Sequence, residues 1–159
     1  MNDSQNNDQL LKDLLKRVEA LEREAPKDQL TIGVMSGDLE RVMLAFIIAV
    51  GATTFDTEVE MVFTLRATAA LRDAKKIKKD LKDLEPSPIK FDLEKIRAMS
   101  LEDLISLAAE TGVRITICNL SMDLLDIERE ELIDYPHLTF AGVGAFVDLC
   151  SHSKQCWFM

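Results

Sequence analysis

The residue with the clearest chemical potential is Cys118, which ends an apolar run and opens a turn in front of a helical pattern. The run covers residues 113–117, and the turn covers residues 119–123. Backbone N–H groups at a helix start stabilise a thiolate, the form of cysteine that attacks electrophiles and carries sulfur. The position therefore predicts a reactive thiol. The alternative is that Cys118 only fills space at a strand end, because unpaired cysteine is among the most buried residue types.

Four predicted turns follow strand-like segments and should meet at one edge of a parallel sheet, where ligands bind in open α/β folds. These turns contain six candidate binding residues: Ser36, Gly37, Asp38, Arg66, Asn119 and Gly142. A cation at Arg66 would lower the pKa of Cys118. Gly37 and Asn119 would offer backbone or amide hydrogen bonds to a bound group. The alternative is that these are ordinary surface and turn residues.

Other catalytic signatures are absent from the sequence. Gly33 and Gly37 lie in Gly-Val-Met-Ser-Gly, which lacks the third glycine of a dinucleotide loop and the Gly-Lys-Ser/Thr of a P-loop. We therefore expect no nucleotide cofactor. Neither His137 nor His152 stands at a clear catalytic spacing from Cys118, which disfavours a Cys-His hydrolase dyad.

The last residues contain a second group of metal-ligand types. Cys150, His152 and Cys156 have side chains that bind soft metals, but their spacing falls short of a structural zinc motif. We predict no metal site, and a metal-binding tail is the weaker alternative. Three cysteines in a chain without an export signal predict separate reduced thiols rather than a disulfide framework. Reaction of a C-terminal cysteine with Cys118 would require residues 153–159, predicted to be a tail, to fold back over the sheet edge.

Composition limits the function classes. The chain has 159 residues, 47% of them hydrophobic, which is enough for one domain with a substantial core. A formal net charge of -9 disfavours binding to nucleic acid or anionic membranes. The N-terminus lacks the pattern of a secretory signal, so we expect a cytoplasmic protein. The longest apolar run, residues 42–52, is shorter than the roughly 18 residues of a membrane span.

The N-terminal segment, residues 1–27, has the pattern of a short amphipathic or coiled-coil helix that Pro26 closes. Its apolar residues alternate in steps of three and four: Leu11, Leu14, Val18, Leu21 and Ala25. Two heptads are marginal as an isolated helix, so the stripe must be covered. We favour self-association, and the alternative is packing on its own domain.

Residues 28–152 alternate between strand-like and helix-like patterns. The predicted strands cover residues 30–35, 58–65, 113–118 and 137–141. The predicted helices cover residues 39–54, 67–77, 101–110 and 121–133, the last with Asp126 as a candidate break, and a short helix follows Gly142. Alternating elements predict parallel pairing. The expected fold is a three-layer α/β/α sandwich with a mainly parallel sheet, a flavodoxin-like variant. Residues 72–85 interleave both charges, which favours a solvated helix face; the alternative is a mobile flap or a surface for an acidic partner.

Several segments together resemble a known family. The most specific is Ile-Cys-Asn-Leu-Ser-Met-Asp-Leu, at residues 117–124, and it is supported by residues 29–39, 45–49, 59–65 and 130–133. Over about residues 28–150 the chain resembles the DsrE/DsrF-like superfamily, in the DsrE-like branch often labelled peroxiredoxin family proteins. No Thr-x-x-Cys peroxidatic motif occurs, so the residues do not support the peroxiredoxin label.

The resemblance implies a homo-oligomer (dimer, trimer or hexamer) that handles sulfur. Related proteins carry a persulfide on one cysteine and pass it along a relay, and Cys118 stands at that position. The implied partners are sulfur donor and acceptor proteins, and the implied activity is sulfurtransferase-like. Asp126 stands where this branch is expected to have glycine, and residues 72–99 are unusually rich in charge. The rival hypothesis is a non-catalytic oligomeric protein that binds a ligand or partner and in which Cys118 is structural.

Overall fold

Five parallel strands form one sheet, and helices lie on both of its faces. The computed structural model describes residues 2–76 and 99–159. Its helices are α1 (Asn2–Glu24), α2 (Leu39–Thr53), α3 (Leu101–Glu110), α4 (Asn119–Leu125) and α5 (Val143–His152). Its strands are β1 (Lys27–Val34), β2 (Glu58–Phe63), β3 (Arg114–Cys118), β4 (Leu138–Ala141) and β5 (Ser153–Phe158).

The strand order is β4-β3-β2-β1-β5, with every neighbouring pair parallel. Strands β2, β3 and β4 are added one after another on one side of β1. The chain then crosses back over the sheet through α5, and β5 pairs with the other side of β1. Right-handed crossovers that run in opposite directions place their helices on opposite faces. The structure confirms the predicted three-layer α/β/α sandwich, in which the chain starts in an inner strand and reverses direction once, as in a flavodoxin-like sheet.

The hydrophobic core lies between the sheet and α2. Alternate residues of β1 point to this side, and Ile32 and Val34 are completely buried. Phe46 of α2 packs against Phe63 of β2, with ring centroids 5.8 Å apart. A capping box between Ser100 and Asp103 begins α3, which covers the predicted range 101–110.

The opposite face of the sheet is covered in part by α5 and has a more polar character. A Cβ atom at Gly33 would lie 2.6 Å from the ring of Phe146, so a larger residue there would require that ring to move. Thr116 donates a 2.6 Å hydrogen bond to the buried carboxylate of Glu60. Cys118 is two residues beyond Thr116, so it belongs to this same face.

Two predicted helices are shorter in the structure. The predicted helix over residues 67–77 is a 3-10 turn, Leu65–Leu71, since Arg72 leaves it in extended conformation and bridges Leu132. The Arg72 guanidinium also pairs with Glu131 at 3.1 Å, and both side chains are buried. The predicted helix over residues 121–133 ends at Leu125, because Asp126 adopts a left-handed conformation with φ 53°.

The predicted C-terminal tail is instead a strand. Residues 153–158 form β5, which pairs with β1. The turn from α5 into β5 brings the Cα atoms of Cys150 and Cys156 within 5.3 Å, and the two form a disulfide. The prediction of three separate thiols is therefore wrong, because the sequence pattern did not reveal that the chain reverses between these two cysteines.

The N-terminal helix α1 extends from the domain with its apolar stripe uncovered. Only Ala25 and Pro26 connect it to β1. The leucines of the stripe are about half exposed or more, for example Leu14 at 48% and Leu21 at 67%. The charge-rich segment lies mostly in residues 77–98, outside the described residues. No helix in the described part of the chain is long and apolar enough to cross a bilayer.

Candidate functional site

Cys118 lies at the carboxyl end of β3, where the strand passes directly into α4. It is the residue that caps the start of α4, with extended backbone angles of φ -72° and ψ 117°. Its neighbour on the adjacent strand is Ala141 of β4. The thiol is free and only 5% exposed. The sulfur thus lies just below the surface, facing the first turn of a helix.

Polar groups of Ser121, Thr64 and Leu120 favour the charged form of Cys118. Burial acts to raise the pKa of the Cys118 thiol, but hydrogen bonds from Ser121, Thr64 and Leu120 outweigh it and leave the pKa below its ordinary value. The groups are the backbone N–H and hydroxyl of Ser121, the hydroxyl of Thr64 and the backbone N–H of Leu120. The two hydroxyls are hydrogen-bonded to each other, so only one of them at a time can donate to the sulfur. Such donors favour the thiolate because they bond to its negative charge.

The hydroxyl of Ser121 also joins α4 to the end of β2. It lies 2.9 Å from the hydroxyl of Thr64 and accepts a 2.6 Å hydrogen bond from the backbone N–H of Leu65. Leu65 has a positive φ of 51°, which is unusual for a leucine. This backbone conformation aims its N–H at Ser121. The hydroxyl beside Cys118 is therefore fixed by two elements.

Thr64 and Ser121 are neighbours of the thiol, and neither is among the site residues predicted from the sequence. The signal for Ser121 was the Cys-x-x-Ser spacing at a helix start, which places the serine in the first turn above the cysteine. Thr64 has no comparable signal. It meets Cys118 because β2 and β3 pair with Phe63 opposite Ile117, a register that the sequence alone does not specify.

The candidate binding residues lie along one sheet edge at different distances from the thiol. Asn119 directly follows Cys118, and Gly142 follows its strand neighbour Ala141. Arg66 is exposed and is not among the groups that shift the pKa of Cys118. The lower pKa results from hydrogen bonds, so the expectation that an arginine cation lowers it is not met.

The other three candidates, Ser36, Gly37 and Asp38, follow β1, two strands away from β3. Gly37 is close to the loop after β2: a Cβ atom there would lie 2.9 Å from the carbonyl oxygen of Arg66. Ser36 accepts a hydrogen bond from the backbone N–H of Asp38. Gly37 thus allows two loops of the edge to approach each other, while Ser36 and Asp38 bond to each other.

Exposed apolar side chains surround the edge where Cys118 lies. Leu65, Leu120 and Leu124 are between 51% and 67% exposed. Val143 and Val147 are similarly exposed at the start of α5. We call these five residues the apolar rim. Exposed apolar side chains that lie close together often mark a site of contact with another molecule.

The disulfide is far from Cys118. Cys156 of β5 pairs with Thr31 of β1, and Thr31 pairs with Glu60 of β2. Glu60 in turn pairs with Arg114, the first residue of β3, so Cys156 lies in the same row of the sheet as the start of β3. Three strand spacings and four residues along β3 separate it from Cys118, which gives a distance of about 20 Å. In this conformation Cys150 and Cys156 do not serve as partners for the Cys118 thiol. Among the described residues, no three potential metal ligands cluster.

The sequence matches the model of the DsrE/DsrF/DrsH-like family over residues 26–91 and 80–158. It is 31% identical over 142 residues to the uncharacterized protein YrkE of Bacillus subtilis, a match that covers 74% of this chain and 88% of YrkE. It is 32% identical over 60 residues to the sulfur carrier protein DsrE2 of Allochromatium vinosum. That match covers 38% of this chain and 36% of DsrE2.

Two solved structures share the fold. The ychN protein from E. coli superimposes with a TM-score of 0.56 at 10% identity, covering 82% of this chain and 99% of that protein. MTH1491 from Methanobacterium thermoautotrophicum, a protein of unknown function, gives a TM-score of 0.56 at 15% identity, covering 82% and 98% of the two chains. At such low identity these matches establish the architecture alone.

Proposed function

The chain belongs to the DsrE/DsrF/DrsH-like family, and we propose that it is a sulfur carrier that accepts a persulfide sulfur on Cys118 and passes it to a partner protein. The observation that carries this proposal is the set of donors that lowers the pKa of Cys118 in spite of its burial. A lower pKa increases the thiolate fraction near neutral pH, and the thiolate is the attacking form.

In the proposed reaction, the Cys118 thiolate attacks the outer sulfur of a persulfide on a donor protein. A new S–S bond forms at Cys118 while the S–S bond of the donor breaks, and the donor cysteine leaves as a thiolate with the bonding electron pair. The proton of the outer sulfur stays with it or passes to solvent. The acceptor thiolate then attacks the same outer sulfur, and Cys118 leaves as a thiolate. No external oxidant or reductant is needed.

The surroundings of Cys118 suit both halves of this exchange. The donors on Ser121, Thr64 and Leu120 stabilise the negative charge of Cys118 before it attacks and again when it leaves. The apolar rim offers contact area to the donor and acceptor proteins. We also propose a cytoplasmic location, where cellular reductants would keep Cys118 as a free thiol and would also act on the Cys150–Cys156 disulfide.

The proposal is tested by incubating the purified protein with a persulfide donor and measuring the intact mass. We expect the wild-type protein to gain one sulfur atom and Cys118→Ser to gain none. A Cys150→Ser/Cys156→Ser double variant is the matched control, and it should load like the wild type. Loading that persists in Cys118→Ser, or no loading of the wild type, would contradict the proposal.

One observation favours the alternative of a non-catalytic binding protein in which Cys118 is structural. The thiol is only 5% exposed, and buried unpaired cysteines commonly serve as small apolar residues. This alternative predicts slow alkylation of Cys118 and a rate that rises only near the free-thiol pKa of about 8.5. Fast alkylation with a midpoint below that value would reject it.

A further inference from the structure

Helix α1 has an apolar surface that its own domain does not cover. Its exposed apolar side chains are all about half exposed or more: Leu10, Leu11, Leu14, Leu15, Val18 and Leu21. They all lie within three turns of α1, on adjoining positions of its surface. Burial of a leucine side chain stabilises a structure by about 2 kcal/mol, so water disfavours leaving six such residues uncovered.

The charge pattern of α1 disfavours a membrane as the partner that covers this apolar surface. Helices that lie on anionic membranes have a polar face rich in lysine and arginine. Here the cations Lys12, Lys16 and Arg17 are mixed with the anions Asp13 and Glu19. A mixed polar face is instead typical of helices that pair with other helices in water.

We propose that α1 joins copies of this chain into a parallel coiled coil. Leu11 and Val18 occupy the a positions of two heptads, and Leu14 and Leu21 occupy the d positions. Leu10 then falls at a g position and widens the apolar seam.

The residues on either side of the seam favour a parallel orientation of the two helices. In a parallel pair, each g residue faces the e residue five positions later on the other helix. The g residues Leu10 and Arg17 therefore face Leu15 and Glu22 of the second copy. Leucine meets leucine, and a cation meets an anion.

An antiparallel pair would match these residues poorly. There, g faces g and e faces e. With a facing d, Leu10 would face Arg17 and Leu15 would face Glu22, so each apolar side chain would be opposite a charge. The complementarity of both flanking pairs is lost at once. The second copy must therefore lie in the same direction.

The parallel arrangement has a defined relation to the Cys118 site. Two residues, Ala25 and Pro26, connect α1 to β1, so the coiled coil is attached at the amino edge of the sheet. The eight residues of β1 span about 26 Å, and Cys118 lies at the opposite edge. Assembly through α1 gathers the amino edges of the domains and leaves each thiol facing outward.

The first experiment measures the oligomeric state by sedimentation of the full-length protein. We expect a concentration-dependent oligomer and a dissociation constant that rises roughly a hundredfold or more in Leu14→Glu, because every copy places a charge in the seam. The matched control is Leu44→Glu, which alters an exposed leucine of α2. A monomeric wild type, or an oligomer that Leu44→Glu disrupts and Leu14→Glu does not, overturns the proposal.

The second experiment tests orientation by exchanging the facing charges. Arg17→Glu alone and Glu22→Arg alone each create like-charge pairs and should weaken association roughly tenfold. The double variant restores opposite charges in a parallel pair and should regain wild-type association. Failure of that rescue, or a monomer that binds anionic lipid vesicles through α1, overturns the proposal. Sulfur loading of Cys118 should be unchanged in all these variants, so each proposal can fail alone.

Discussion

Replacing Ser121 with alanine should raise the pKa of Cys118 and slow its reaction near neutral pH. The substitution removes a hydroxyl that donates to the sulfur and leaves the backbone donors of Ser121 and Leu120 in place. A hydrogen bond to a charged group contributes about 1.5–3 kcal/mol, and 1.36 kcal/mol corresponds to about one pKa unit. The pKa of Cys118 should therefore rise, and its alkylation rate near neutral pH should fall roughly tenfold or more.

The assay is the rate of alkylation of Cys118 as a function of pH, followed by mass spectrometry of the peptide that contains it. The rate rises with the thiolate fraction, so its midpoint gives the pKa. Ser36→Ala is the matched control, because that serine lies at the same sheet edge but two strands away from β3. It should leave the midpoint unchanged.

The substitution also has a structural cost that must be measured separately. The Ser121 hydroxyl accepts the backbone N–H of Leu65, and loss of that acceptor should destabilise the fold by about 1–3 kcal/mol. Urea unfolding of the variant gives this value and shows whether alkylation is measured on folded protein. A folded Ser121→Ala protein whose midpoint equals that of the wild type would refute the role of this hydroxyl.

Three further predictions concern stability. Gly37→Ala should destabilise the protein by about 1–3 kcal/mol in urea unfolding, because the new Cβ atom would lie 2.9 Å from a backbone carbonyl oxygen. Gly51→Ala is the control: this position in α2 has open space, and the substitution should stabilise the protein by up to about 1 kcal/mol. The reverse order of stabilities would contradict this reasoning. Thr116→Val should lose about 1–3 kcal/mol, because its hydroxyl bonds to a buried glutamate, and Thr116→Ser should retain most of that stability. Burial raises the pKa of Tyr135, so above about pH 10 the phenol ionises in the unfolded protein and stays protonated in the folded one. The free energy of unfolding should therefore fall as the pH rises above about 10, and it should fall less steeply in Tyr135→Phe.

The alternation of strands and helices was enough to predict the sandwich, because each strand from β1 to β4 is followed by a segment of a different period. The strand β5 was not predicted. Its residues 153–158 alternate little in exposure, since it lies at the sheet edge and pairs with β1 alone. Sequence patterns detect burial, and β5, which begins with the polar residues Ser153, Lys154 and Gln155, buries too little to be distinguished from a tail.

The position of Cys118 could be predicted from neighbouring residues in the sequence, whereas its contact with Thr64 depends on how distant strands pair. A cysteine between an apolar run and a helix start can be recognised from adjacent residues. The hydroxyl of Thr64 reaches it only through the pairing of β2 with β3. The left-handed conformation of Asp126 explains why a glycine was expected there, because glycine adopts a positive φ without steric cost.

The pairing of β1 with β5 also determines the order in which the sheet can form. The hydroxyls of Thr31 and Ser153 bond across 122 positions of sequence, whereas β1 finds β2 within about one helix of chain. Closing the longer loop costs more entropy, so the β1–β4 part can assemble first and β5 docks last. Until then the outer edge of β1 remains an unpaired strand edge. During synthesis, the protein therefore passes through a stage in which another extended chain can occupy the place of β5.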